Sequence, residues 1–263
     1  MDAMFAKKVL SIIGFFLITI VITGHPNACG EESFILNYEG QPQKVLYDFY
    51  IPPKTTQGLL DVLVCVGGLP IINDQYVYSS TQDCMDERWK EFASDHQVAI
   101  LGLGFLFKPQ QWAQQASYQY PQAWSGQALN QILNIAKQKF PLNIDSLYLF
   151  GISAGAQFSL RFALMNPRRV KAVAAHAFGG YELPTEFVPT KFLVTVGQED
   201  NDPISRREFL ELFFSACQRE KIDIQKEIIP GLKHRQTEVQ NQMSREFFSE
   251  ILLSNKRDAR PNQ

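Results

Sequence analysis

Histidine and cysteine are scarce in this chain, four of each among 263 residues, and no CxxC pair or Cys/His cluster at metal-ligand spacing occurs. Zinc is therefore unsupported, and no metal or cofactor is expected. Charge of one sign is scarce as well. The 25 Lys and Arg against 27 Asp and Glu leave a net charge of -2 at pH 7, with no long basic run. That removes the electrostatic footprint for a polyanion, so nucleic acid is not an expected partner. No internal repeat is visible. What remains is ordinary globular material: 45% apolar and 20% charged residues, enough for one buried core in a single α/β domain of this length.

The N-terminus departs from that composition. Lys7 and Lys8 precede an apolar run from Val9 to Ile22, and Thr23-Gly24 follow. This charged, apolar, small-residue order is that of a secretory signal peptide, and the run is too short for a comfortable membrane span. The expected cut falls after Gly24, with Ile22 and Gly24 at the −3 and −1 positions, or after Ala28. The chain then divides into a signal peptide at 1–24 (up to 28), a single domain at 30–254 and a polar tail at 255–263. A secreted or periplasmic protein follows. Membrane contact is expected only if the N-terminal segment is retained or Cys29 is lipidated, and Pro26-Asn27-Ala28 departs from a Leu-led lipobox. Cys29, Cys65, Cys84 and Cys217 allow three full pairings. Cys65, inside Val62-Leu63-Val64-Cys65-Val66, reads as a small buried hydrophobe, which leaves Cys29 with Cys84 as the bridge to consider.

Strand-like and helix-like patterns alternate through the body. Strands are expected at 34–38, 45–51, 60–66, 98–105, 146–152, 170–177, 191–196 and 223–229, several of them continuous apolar runs suited to burial on both faces. Helices are expected at about 86–95, 124–139, 154–166, 205–219 and 238–253, with Pro141 and Pro167 as stops. This predicts an α/β fold: a mostly parallel eight-stranded sheet with helices on both faces and its first two strands as an antiparallel edge. Lys108 to Gln122, rich in Gln and aromatics, reads as a long loop.

Gly151-Ile152-Ser153-Ala154-Gly155 carries the chemistry. It follows the apolar strand Leu147 to Phe150 and precedes a helical pattern, the setting of a nucleophile elbow, where small residues must flank the serine. A lone hydroxyl is a weak nucleophile and needs a histidine base with an acid to orient it. Among the four histidines, His25 lies at the signal boundary, His96 ends a helix before a strand, and His176 precedes any strong acid candidate. His234, in a loop after the last strand, remains as the base. Three carboxylates leave the strand before it, Glu199, Asp200 and Asp202, of which Asp200 is the preferred acid, Asp202 the alternative, and Glu182 the place to look should all three fail. For the developing oxyanion, the strand ending Val64-Cys65-Val66 runs into Gly67-Gly68-Leu69-Pro70, so the amide of Gly68 or Leu69 could pair with that of Ala154.

Taken together, Ser146 to Ala156, Asn166 to Val170, the Gly197 to Asp200 turn and Pro230 to His234 resemble extracellular esterases related to polyhydroxyalkanoate depolymerases and feruloyl esterases, within the α/β-hydrolase superfamily. The resemblance implies an α/β-hydrolase fold and hydrolysis of a small-molecule or polymeric carboxylic ester through an acyl-enzyme. A serine peptidase or acyltransferase could use the same triad, and a binding protein that kept the fold would carry a damaged one. Val66 stands where the oxyanion loop of lipases and esterases carries a His, and the short spacing from Gly180 to Lys191 leaves little or no lid. Trp112, Trp124, Phe105 and Phe178 are expected in the core or along an acyl or aryl pocket.

Overall fold

Alternation along the central strands sorts the core into two layers. Val62, Val64 and Val66 join one buried cluster, whereas Leu63 and Cys65 between them join the other. The computed structural model describes residues 31–53, 58–69, 77–107, 116–180, 182–201 and 205–258. The signal segment with both its cut sites, Cys29, Pro70, Trp112 and Asp202 lie outside the described residues.

The strands in chain order are β1 (Glu32–Tyr38), β2 (Gln41–Tyr50), β3 (Leu60–Val66), β4 (Val77–Tyr78), β5 (Val98–Phe107), β6 (Leu142–Ile152), β7 (Val170–His176), β8 (Lys191–Gly197) and β9 (Ile224–Ile229). They form one sheet in the order β1-β2-β5-β3-β6-β7-β8-β9, with β4 paired to the end of β5. From β5 to β9 the neighbours run parallel, and β1 with β2 makes the expected antiparallel edge. Among the described residues the count is nine rather than eight. The extra strand is two residues long, too short to leave an alternation in the sequence.

Helices α2 (Gly126–Lys139), α3 (Ala154–Met165) and α4 (Arg206–Arg219) supply the cluster on one face. Helices α1 (Glu87–His96) and α5 (Glu238–Asp258) supply the other, through Trp89, Phe92, Phe247 and Phe248. Phe105, Trp124 and Phe178 are core residues, each at most 1% exposed. A π-helical turn, Pro121–Ser125, leads into α2, so the loop expected to run to Gln122 ends sooner; the Trp124 indole fixes that turn by donating to the Ala116 carbonyl at 2.6 Å.

Two further expectations are corrected. Helix α5 continues to Asp258, into the segment read as tail. Lys256 Nζ donates to the His96 carbonyl at 2.9 Å and Asn255 Nδ2 to the Tyr148 hydroxyl at 3.1 Å, while Lys256 and Arg257 suit the negative end of the helix dipole. Cys65 is not a free hydrophobe: it is bonded to Cys84, which leaves Cys84 unavailable to Cys29. The apolar setting of Cys65 hid a partner that lies across from it on the approach to α1.

The chain runs from β3 to β5 on one side, then returns past β3 to β6. That reversal makes a crevice at the carboxyl ends of β3 and β6, where ligands of open α/β sheets bind.

Candidate active site

Between β6 and α3 the backbone turns on one residue. Ser153 sits at φ 54° and ψ -116°, outside the regions open to most side chains. Its N–H donates to the His176 carbonyl at the end of β7, and its own carbonyl takes the first helical bond, from Gln157 N–H at 3.2 Å. The flanking glycines are steric necessities. A Cβ on Gly155 would overlap the Val66 carbonyl, and one on Gly151 would overlap the Gly155 carbonyl. The serine is thus held above the sheet with the N-terminus of α3 beneath it.

The acid turn and the histidine loop are stitched together by backbone. Gln198 N–H donates to the Ile229 carbonyl and Glu199 N–H to the Leu232 carbonyl, each at 2.9 Å. Close packing allows this, because Gly197 passes against the Leu232 carbonyl with no room for a side chain. As a result His234 Nε2 lies 2.9 Å from Ser153 Oγ and His234 Nδ1 lies 2.9 Å from Asp200 Oδ2. Asp200 is buried, and its other oxygen accepts from Arg206 Nη1 at 2.7 Å. An alcohol, an imidazole and a carboxylate in this order can move a proton from Oγ to Nε2 while the Nδ1 proton stays on the carboxylate side.

The remaining candidates stand elsewhere. Glu199 is exposed, and Glu182 pairs with Arg161 Nε at 2.6 Å. His96 reaches Ser249 Oγ at 2.8 Å at the far end of the sheet. His176 is buried beneath the serine turn, with Nδ1 2.8 Å from Thr195 Oγ1 and Nε2 2.7 Å from Ser244 Oγ. Burial pushes its proton affinity down to a pKa of about 3, so the ring is neutral. The Ser244 hydroxyl donates to the Gln240 carbonyl, which leaves its oxygen to accept from Nε2–H; Nδ1 then accepts from Thr195. Gln240 closes the network on Thr195 and on the Thr237 N–H, just past His234.

Gly68 and Leu69 border the same cleft as Ser153 and His234, a space of about 360 Å³. Gly68 is close enough that an added Cβ would lie 3.1 Å from the Ser153 Cβ. Tyr118 donates its buried hydroxyl to the Gly67 carbonyl at 2.9 Å, and in a trans peptide this points the Gly68 N–H the opposite way. Ala154 opens α3 and is fully buried. The structure thus brings together Ser153, His234, Asp200, Gly68, Leu69 and Ala154 at one sheet edge.

Arg206 and Tyr118 were not found by reading the sequence. A basic residue opening a helix opposes the dipole, and here that anomaly was the one available sign of a buried anion nearby. Tyr118 sat unmarked in a Gln- and aromatic-rich stretch.

No family model and no curated protein matches the sequence. Solved structures do. An S-formylglutathione hydrolase from Agrobacterium tumefaciens superposes with a TM-score of 0.60 at 13% identity, over 86% of this chain and 98% of that one. A poly(3-hydroxybutyrate) depolymerase from Bordetella parapertussis gives 0.56 at 18% identity, over 84% and 90%. A ferulic acid esterase from Anaeromyces mucronatus gives 0.56 at 14% identity, over 88% and 93%. These likenesses establish the fold: the chain has the α/β-hydrolase fold that its motifs resemble.

Proposed function

We propose that this chain is a serine esterase that cleaves a carboxylic ester through Ser153, His234 and Asp200. The observation that carries the reading is the pair of 2.9 Å contacts from His234, one to Ser153 Oγ and one to the buried Asp200 carboxylate. The solved esterases that share the fold at low identity support the same class.

In the first half-reaction Ser153 Oγ attacks the ester carbonyl carbon as its proton passes to His234 Nε2. Charge develops on the carbonyl oxygen, where the amides of Ala154 and of Gly68 or Leu69 donate. His234 then returns the proton to the departing alkoxide, leaving an acyl group on Ser153. Water attacks that acyl group, gives its proton to His234, and the collapse of the second tetrahedral species frees the acid and restores Ser153. Asp200 keeps the imidazole in the Nδ1–H form throughout. Solvent reaches His234, whose side chain is 31% exposed, so water is at hand to accept the acyl group, which favours hydrolysis over transfer.

Export is part of the proposal. The Lys7 to Gly24 pattern supports it, and the Cys65–Cys84 bond suits an oxidising compartment.

A fluorophosphonate probe tests the chemistry. Label is expected on the peptide carrying Ser153, and Ser153→Ala should take no label and lose several orders of magnitude in ester turnover while staying folded. Turnover within tenfold of wild type would remove Ser153 from the mechanism.

A further inference from the structure

The wall of the cleft beside Ser153 combines apolar and polar surface. Leu69, Ile152 and the Tyr78 ring contribute apolar surface, and Ser80, Asp83, Arg235 and Gln236 bring polar groups. Phe105, Trp124 and Phe178 pack in the core, and Tyr78 is the aromatic of the described residues that borders the cleft. Such a space can seat the apolar part of an ester while a few polar side chains orient it.

Asp83 is the carboxylate of this cleft, and among the described residues it forms no ion pair. Its carboxylate packs on the Gly67 backbone so tightly that a Cβ there would lie 2.7 Å from Oδ2, and it therefore borders the loop leading to Gly68 and Ser153. The next residue, Cys84, is bonded to Cys65 two residues before Gly67, so a covalent link fixes the carboxylate relative to that loop. Burial holds its proton affinity above the ordinary carboxylate value, and a hydrogen bond from the Ser80 hydroxyl opposes the rise. A carboxylate has room for more than one donor, and a desolvated one gains most from a donor brought by a ligand.

Charge decides what that donor is. The His234 loop places exposed Arg235 on the same cleft, so a cationic substrate meets a guanidinium and an anionic one meets Asp83. A neutral hydroxyl meets neither penalty. We infer that Asp83, with Ser80, forms a subsite that accepts a hydrogen bond from a hydroxyl group of the substrate, next to the reacting ester. The inference rests on the esterase reading, and the hydroxyl can belong to the alcohol or to the acyl half.

Two ester pairs test it on the wild-type protein: glyceryl monoacetate against propyl acetate, and methyl lactate against methyl propanoate, with 2-aminoethyl acetate as the cationic comparator. In one pair the hydroxylated ester should show kcat/KM higher by about tenfold or more, and that pair identifies the half of the ester that carries the hydroxyl. Asp83→Ala should bring the ratio close to one. Asp83→Asn keeps the shape and an acceptor oxygen and should keep part of it, which separates loss of the contact from loss of the fold. A ratio near one in both wild-type pairs, a ratio that Asp83→Ala leaves intact, or a preference for the aminoethyl ester overturns the inference and leaves the esterase reading standing. Turnover of none of the five esters overturns the inference too. In that case the esterase reading survives if Ser153 takes the fluorophosphonate label and fails if it does not.

Discussion

Asp200 Oδ1 lies 2.7 Å from Arg206 Nη1, and the two side chains are only 0% and 8% exposed. The carboxylate that faces His234 is therefore balanced from behind by a buried guanidinium. Removing one partner of such a pair strands the other in a low-dielectric site, which costs more than the pair itself contributes. Arg206→Leu is expected to lower unfolding stability by about 3–5 kcal/mol, read from denaturant titration. A loss under about 1 kcal/mol would mean that water replaces the guanidinium freely.

The acid turn offers a sharper comparison. Asp200→Asn should lower kcat/KM at least about a hundredfold, because the amide no longer fixes the Nδ1–H tautomer or supports the imidazolium. Glu199→Gln, on the exposed neighbour, should cost less than about tenfold. Steady-state kinetics on both variants checks this, and equal effects would detach Asp200 from the histidine.

His176 makes stability depend on pH. Its folded-state pKa of about 3 lies below the 6.5 of an ordinary histidine, so between those values the unfolded chain binds one proton more. The contribution of the neutral ring is complete above about pH 6.5 and is lost as the pH falls toward 3, at up to about 1.4 kcal/mol per pH unit. Carboxylates titrate in the same range, so the test is a difference. Unfolding free energy measured from pH 6.5 to 4 should fall more steeply for wild type than for His176→Gln, and parallel slopes would refute the assignment.

The Cys65–Cys84 bond closes a loop with a sequence separation of 19. Loop-closure entropy gives it about 3 kcal/mol, so Cys84→Ser should lower stability by about that much. Material recovered from the producing cell should carry the bond by mass and begin between His25 and Gly30. An intact Met1 would count against cleavage of the leader.

Strong local signals made the strands and the turn at Ser153 legible in the sequence. Continuous apolar runs marked β3, β5 and β6, and two glycines marked the turn at Ser153, where backbone passes close over backbone. Elimination left His234, and the position of Asp200 beyond β8 suggested the acid. What stayed hidden was pairing across long separations. Cys65 looked like core because it is core, and nothing nearby in the chain names Cys84. Arg206, Tyr118 and the His176 network likewise act through contacts 6 to 68 residues away. Strand β4 and the last turn of α5 escaped for the opposite reason: each is too short or too polar to carry a period.

The two amides that join residues 198–199 to residues 229–232 also set how the protein fails. They extend the pairing of β8 with β9 into the turn and the loop beyond, so the acid turn and the histidine loop are tied to each other. Hydrogen exchange at Gln198 and Glu199 should then report on the same opening event as exchange around Leu232. Activity is then expected to be lost in the same opening event, as the imidazole and its carboxylate leave the serine together.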